Sequence, residues 1–469
     1  MSPSRKLISF FLIIICHCEL AAQKLAEPSG IYIEKIYLLG KDKTKAEIIF
    51  REMNLKEGYI YPKVAISEMI NRDKLNIANT SLFNDVSIEP LNISLDTLSL
   101  LVKVSERWYF FPSPILKFAD RNLMDWLINR EGDLSRFNYG FKLMQFNIRG
   151  KNQTLKFVGQ VGFERNLMVN YSLPYIEKTQ KHGLSFMASY SEAKNISYVT
   201  KDHLNKYFKS DQNNKKTYST GITYSFRPSY YDTHHLRLDY QHGSISDTIQ
   251  RLNTNYYGAS GLQQQFFKLS YTFTRDVRDK RLYATNGYFI QAKAEKTGLN
   301  IFDDVNVFLI KATFNKYTPF GNGYFMANGF KAVLSYPNVQ PYNNYQNLGY
   351  GTNVARGFEL NVIEGPKYFI QQNSFRKKIF EHEKDFDRLN SHPQFNKFKI
   401  DTYAKIFADL AWVENYPNYE ISSRLTNQWL YSIGVGIDLL MIYDLVLRLE
   451  YSYNSQNDLN FAVNIRADL

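Results

Sequence analysis

Alternation constrains this chain more than any other feature. From Glu106 onward, apolar residues recur at every second position in run after run. Between Thr154 and Phe163, one face carries Leu155, Phe157, Gly159, Val161 and Phe163, and the other Thr154, Lys156, Val158, Gln160 and Gly162. Tyr431, Ile433, Val435, Ile437 and Leu439 repeat the pattern, opposed by Ser432, Gly434, Gly436 and Asp438. So do Leu445, Leu447, Leu449, Tyr451 and Tyr453, opposed by Arg448, Glu450, Ser452 and Asn454. A period of two is the signature of strands, because successive side chains leave opposite faces of a sheet. Charges on the second face are costly in hydrocarbon and tolerable in a wet lumen. The expected fold is therefore an all-β transmembrane barrel of about 16 antiparallel strands, the number that a region of this length supplies.

Composition agrees. Aromatic residues make up 16%, with 35 Tyr and 34 Phe, as the aromatic rims of a membrane barrel require. A large soluble β-protein is the reading that composition alone leaves open. The net charge of +12 is scattered, with no basic-aromatic cluster, so no nucleic-acid partner is expected. Outer-membrane lipids with acidic headgroups suit such a chain better.

The amino terminus reads as a signal peptide over residues 1–22. Arg5 and Lys6 precede the apolar run Leu7 to Cys16, and Ala21-Ala22 mark the cut. The run is too short for a membrane helix, which needs roughly 20 residues. A lipid anchor at Cys16 or Cys18 is the weaker option, since small residues precede neither. These are the two cysteines of the chain, so no disulfide framework is expected after cleavage. A short linker, 23–29, follows.

Residues 30–105 read as a small α+β module of order β-α-α-β-β. Ile31 to Leu39 is a strand. Thr44 and Glu47 form a capping box, placing a helix from Lys45 toward Leu55 to Gly58. Pro62 opens a second helix ending near Leu75. Two strands, Asp85 to Glu89 and Thr97 to Val104, close it through Asn92 and Asp96. This order, with Leu82-Phe83-Asn84 entering the fourth element and Ser105-Glu106-Arg107 ending the fifth, resembles a POTRA domain. The resemblance implies a periplasmic module that docks unfolded chains or an accessory subunit, partly by strand addition. A plain spacer is the other reading.

Two motifs in the remainder, residues 106–469, carry a wider resemblance. Thr274 to Gly287 contains Arg275-Asp276-Val277-Arg278-Asp279 and Tyr283-Ala284-Thr285-Asn286-Gly287. It resembles the Arg-Asp-x-Arg-Asp, aromatic-x-Thr-x-Gly signature of the BamA/TamA superfamily of assembly and translocation barrels, the bacterial surface antigen family, with Ala284 where proline is common. It reads as a structural turn between the eighth and ninth strands. Arg275, Asp276, Arg278 and Asp279 can satisfy one another there, and Gly287 can take a positive φ.

Val354-Ala355-Arg356-Gly357-Phe358-Glu359, within the glycine-rich stretch Gly349 to Pro366, resembles the superfamily's sixth-loop motif. The resemblance implies that this extracellular loop folds back into the lumen. Phe407-Ala408-Asp409-Leu410-Ala411 resembles the segment it meets, with Ala411 in place of glycine. Strand parity turns Asp401, Tyr403, Lys405, Phe407 and Asp409 inward, so Asp409 is the expected partner of Arg356. Arg356, Gly357, Phe358 and Asp409 together are the expected lumen latch.

Pro112 and Pro114 open the first strand, and Leu469 ends the last. Proline lacks a ladder donor and belongs on edges, strand starts and bulges. Either the seam between first and last strands is weakly paired, or a linker simply runs into the first strand. Glu381 to Lys397 is long and charged for a periplasmic turn and reads as a solvated insert.

The resemblance implies an outer-membrane protein that inserts or translocates unfolded or exported client proteins by strand pairing and lateral opening, without nucleotide hydrolysis. A dedicated secretion pore for one cargo, or an envelope scaffold or channel, is the alternative. The implied place is the cell outer membrane of a Gram-negative-type bacterium, with a possible periplasmic accessory subunit at the module. No catalytic, cofactor-binding or metal-binding residues are expected. His234-His235 lacks further ligands at useful spacing, and Gly434-x-Gly436 is followed by no helix.

Overall fold

The computed structural model describes residues 30–91, 94, 96–302, 304–351, 353–385, 397–417, 424–441 and 445–465. The signal, the linker, Asn92, the Tyr443-Asp444 turn and Leu469 lie outside the described residues. The amino-terminal module comprises β1 (Gly30–Leu39), α1 (Ala46–Arg51), β2 (Ile60–Pro62), α2 (Ile66–Ala78), β3 (Phe83–Leu91) and β4 (Thr97–Glu106). Its sheet has the order β2-β1-β4-β3, with β1 and β4 parallel. Alternation along β1 and β4 sends Ile31, Ile33, Leu98, Leu100, Val102 and Val104 to one face, where Ile48, Ile49 and Ile77 from the helices complete the core.

Two local expectations fail here. A short strand, β2, stands between the helices and pairs with β1, so the order is β-α-β-α-β-β. The Thr44–Glu47 capping box does not form, and α1 starts after Lys45 without a side-chain cap. The Thr44 hydroxyl is drawn away by tertiary partners. It hydrogen-bonds the Tyr109 hydroxyl at 3.0 Å and accepts from Asn147 Nδ2 at 2.8 Å.

Phe110–Phe118 begins a sheet of 16 antiparallel strands that runs to Leu459–Ile465. No helix among the described residues is long and apolar enough to cross a membrane. The alternation is obeyed. Leu155, Val161, Tyr431, Ile433, Val435 and Ile437 are exposed on the outer face. Asp401, Tyr403, Lys405, Phe407 and Asp409 of the thirteenth strand (Lys397–Val413) are buried inside. Short turns near Arg149, Lys178 and Tyr231 and the one over residues 277–286 lie on one rim; loops over residues 119–136, 194–214, 246–262, 337–351 with 353–366, and 414–417 with 424–428 lie on the other. Within the second of these loops, residues 202–208 are not irregular. They form the tip and second strand of a hairpin, Ile196–Lys201 with Leu204–Phe208.

Glu381 to Asp385 is strand rather than a solvated insert. It continues the twelfth strand, Lys367–Asp385, which pairs with the thirteenth as far as Asp385 opposite Lys397. Cross-strand ion pairs such as Lys399 with Glu381 at 2.6 Å let that hairpin outlast its neighbours.

The module's helices, not its sheet, face the barrel turns. Glu52, 2% exposed, takes a bidentate hydrogen-bonded pair from Arg227, at 2.7 and 2.8 Å, in the turn before the seventh strand. Arg51 adds a second cation at 2.8 Å. Tyr230 donates to the Met53 carbonyl at 2.6 Å, and Arg72 to the Tyr231 hydroxyl at 2.8 Å. Burial pushes the Glu52 carboxyl up, but Arg227 and then Arg51 outweigh it, so its pKa falls below the ordinary glutamate value. A carboxyl depressed in the docked state contributes stability at and above its ordinary range, and that contribution is lost as pH falls through the lowered pKa.

Arg227→Ala leaves Glu52 buried with only Arg51, a change of the type that costs about 3–5 kcal/mol. We expect the module to undock, read as increased protease cleavage between residues 106 and 110 with the barrel itself still resistant to heat. A cleavage pattern unchanged from wild type removes this clasp from the account.

Candidate functional site: the barrel lumen and its seam

The lumen is organised by charges that strand alternation forces inward. Asp409, Lys405, Asp438, Arg448 and Glu450 lie on the inner faces of the thirteenth, fourteenth (Trp429–Met441) and fifteenth (Leu445–Asn454) strands, all at most 5% exposed. Register brings them together. Asp438 is opposite Arg448, and Lys405 is opposite Gly436, whose missing side chain leaves room for the lysine stem. Lys405 contacts Asp438 at 2.7 Å and Glu450 at 2.9 Å, and Arg448 contacts Glu450 at 2.8 Å.

The sixth loop, residues 337–366, enters this ladder from above. Arg356 Nε donates to Asp409 Oδ2 at 2.9 Å, and Nη2 bonds Oδ1, making a two-pronged pair. The Arg356 backbone N–H also donates to Asp409 Oδ2, at 3.1 Å. Nη1 donates to Ser374 Oγ at 2.9 Å, and the guanidinium lies over the Phe407 ring at 4.1 Å. Arg356 is 2% exposed. Such bidentate, charge-assisted bonds are the strong ones in a dry interior.

Gly357 follows with φ of +86°. A Cβ there would meet Ser432 Cβ at 2.9 Å, so both the backbone angle and the close approach demand glycine. Its carbonyl accepts from Asn454 of the fifteenth strand at 2.7 Å and from Asn460 of the sixteenth at 2.8 Å. Phe358 is buried among Leu309, Val333, Tyr368, Ile370 and Leu425. The loop therefore holds the wall from the twelfth strand to the last.

Sequence reasoning missed what pins the loop from outside. Arg121 donates to the carbonyls of Asn361 and Leu360 at 2.6 and 2.8 Å, and Asn122 donates to that of Glu359 at 2.8 Å. These bonds go to backbone, so no residue pattern in the loop announces them. Only polar side chains in an otherwise solvated first loop could have hinted at it.

The turn motif enters from below. Asp276 and Arg278 pair at 2.8 Å, but the other two charges do not close a mutual network. Arg275 instead reaches Asp232 on the seventh strand at 3.2 Å and the Tyr288 hydroxyl at 3.0 Å. Asp279 caps the turn, accepting from the Thr285 hydroxyl at 2.6 Å and the Thr285 N–H at 3.0 Å. Rigid strand ends set these partners, and they override sequence proximity. Gly287 has φ of +100°, with the Val277 carbonyl 2.2 Å from where a Cβ would lie. The motif's Tyr283 was read only as part of a turn. It inserts into the lumen, packs against Tyr403 with ring centroids 4.7 Å apart and donates to Asp438 Oδ2 at 2.7 Å. Both motifs thus end on one ladder of charges.

Pro112 and Pro114 sit in the first strand opposite Leu143 and Phe141. At that strand's two ends, the Phe146 N–H reaches the Tyr109 carbonyl and the Ala119 N–H reaches the Arg136 carbonyl. The register between is unbroken. Odd-numbered residues therefore turn their backbone groups toward the second strand, and even-numbered ones toward the open side. Both prolines delete donors from the open edge. No ladder joins the first strand to the sixteenth among the described residues.

The Omp85 superfamily domain model matches residues 147–464. The chain belongs to the Omp85 superfamily. Residues 31–107 match the POTRA model, described as a surface antigen variable number repeat. No curated protein matches significantly. Among solved structures, the chain is similar to BamA from Haemophilus ducreyi lacking POTRA domains 1–3, at 17% identity and a TM-score of 0.53, over 92% of this chain and 84% of that one. It is also similar to CdiB from Escherichia coli, at 12% identity and a TM-score of 0.54, over 94% and 76%. These likenesses concern the fold. Membership of the Omp85 superfamily places the barrel in an outer membrane with the POTRA domain in the periplasm, and an insertion or translocation role follows at that level.

Arg356→Ala strips Asp409 of its guanidinium in a buried setting, a loss of about 3–5 kcal/mol. The temperature at which the folded barrel loses its compact gel mobility is expected to fall. Arg356→Lys should recover only part of it, because a lysine cannot make the fork. Full recovery by lysine would show that point charge alone is needed.

Proposed function

We propose that this Omp85 barrel inserts or translocates client proteins by accepting an extended segment at its first strand and opening laterally, without nucleotide hydrolysis. The observation that carries this reading is the open edge of the first strand, with Pro112 and Pro114 on it. Exposed strand edges recruit extended chains, and main-chain hydrogen bonds supply the affinity. The remaining edge donors in Phe110–Phe118 are the N–H groups of Phe110, Leu116 and Phe118. An incoming strand finds acceptors along the whole edge and donors mainly at its two ends. Such a seam discourages a tight permanent ladder and favours exchange.

In this reading Arg356, Gly357, Phe358 and Asp409 act as a latch that keeps the far side of the seam in order. The clients are unfolded or exported proteins, delivered to a periplasmic POTRA domain that also offers a surface to an accessory subunit, in a Gram-negative-type bacterium. A dedicated exporter of one cargo is the alternative, favoured by the presence of a single POTRA match in the chain. Depletion followed by outer-membrane proteomics separates the two: broad loss of barrels fits an insertase, and loss of one exported protein fits a dedicated pore.

Two measurements test the seam. A disulfide between a cysteine placed in Phe110–Phe118 and one in Leu459–Ile465 is expected to stop client insertion or release until reduced. Unchanged client handling by locked protein rejects lateral opening. Replacing Pro112 and Pro114 together by alanine restores two edge donors. We expect a higher gel-shift temperature and slower client insertion, since two added hydrogen bonds contribute roughly 1–3 kcal/mol to the closed seam.

A further inference from the structure

The hairpin Ile196–Phe208 ends in Asp202 and His203, both at positive φ. Its tip lies between the sixth and seventh loops, and His203 is 2% exposed. The His203 carbonyl accepts from the Val362 N–H at 2.7 Å. The ring spans two loops. Nδ1 lies 3.1 Å from the Val362 carbonyl, which can only accept, so Nδ1 carries the proton. Nε2 lies 3.0 Å from the Leu425 N–H, which can only donate, so Nε2 is the bare nitrogen. The partners thus fix both tautomer and charge state. A second proton on Nε2 would face the Leu425 N–H directly.

We propose that His203 is a positioning residue that clamps the sixth and seventh loops together, and that its protonation releases them. Val362 lies six residues after Arg356, on the segment that returns from the latch, so the clamp bears on the loop that fills the lumen. Leu425 is fully buried in the same apolar cluster as Phe358. Opening at His203 separates two loops that together cover that cluster.

The surrounding charges favour the neutral ring. Burial is the largest influence and lowers its pKa; Arg424 on the seventh loop lowers it further, while the Val362 carbonyl and Asp202 oppose. On the sixth loop, Glu364 is occupied by the Thr200 hydroxyl at 2.8 Å. On the first loop, Arg121 is spent on Asp125 and the sixth-loop backbone, and Arg130 on the Asn205 carbonyl and Asp120. A ring held neutral when closed and free to charge when open takes up a proton on opening. Acid therefore favours the open form, beginning near the ordinary histidine value of about 6.5. This inference concerns closure of the lumen and holds whichever cargo the barrel handles.

Planar-bilayer conductance of the purified full-length protein tests it. Between pH 8 and pH 5 the open fraction of wild type is expected to rise, by up to about tenfold per pH unit below roughly 6.5. His203→Gln, whose amide can donate to Val362 and accept from Leu425, should stay closed across that range. His203→Ala should be open already at pH 8. Arg424→Gln, which leaves the clamp intact, lets the closed ring tolerate a proton better, so it should blunt the acid response and shift the transition to lower pH. A wild-type open fraction that does not change with pH, an undiminished acid response in His203→Gln, or an acid response in Arg424→Gln as strong as that of wild type would each overturn the proposal.

Discussion

One buried ion pair fixes where the largest loop of this protein must go. Asp409 is forced inward by strand alternation and is 5% exposed. A carboxylate buried in that setting is costly unless a cation and donors meet it. The cation comes from the sixth loop, which must therefore leave the membrane surface and descend into the lumen. Every other contact of the loop follows from that descent. Gly357 is the one residue type that fits between Ser432 and Asn454, and its carbonyl then lies within reach of Asn454 and Asn460. Phe358, carried in beside it, completes an apolar layer above the charges.

The same ladder is entered from the opposite rim by Tyr283. Two chain segments about seventy residues apart thus converge on the thirteenth to fifteenth strands. That makes the wall asymmetric. Its last strands are tied to the sixth loop by side-chain bonds, whereas among the described residues the first strand has one ladder, with the second strand. Its free edge lacks two donors. If the barrel opens anywhere, the cheapest place is beside the first strand, since every other neighbouring pair of its strands is joined by a backbone ladder. Stability and mobility are thereby divided along one line instead of spread through the sheet.

The sequence made the barrel legible because hydrocarbon outside and charge inside leave a period of two that few other environments produce. Asp409 and Arg356 were legible for a related reason, since a charged residue on a strand of known parity has a known face. What was not legible shares a physical origin. Thr44 lost its cap to Tyr109 and Asn147, Arg275 paired with Asp232, and Arg121 bonded carbonyls in the sixth loop. Each is a tertiary choice between partners of similar chemistry, and local spacing carries no information about it. The continuation of the twelfth and thirteenth strands past the rim was misread for a different reason. Charged residues there suggested solvent, and solvent is compatible with a strand pair whose charges match across the ladder.

The POTRA domain follows the same logic at the rim. Its helices and Glu52 are committed to the barrel turns, so the sheet faces away. Of that sheet's two edges, β2 is three residues long and β3 is nine. A strand of three offers little to an extended chain, whereas β3 presents a row of backbone groups free on one side. Among the described residues, β3 and the first barrel strand each present a backbone edge that no strand pairs with. The docked module holds β3 in a fixed position relative to the seam through Arg227, Tyr230 and Tyr231. The ion pair that sets the distance of the domain from the barrel thus also fixes the direction in which the β3 edge faces.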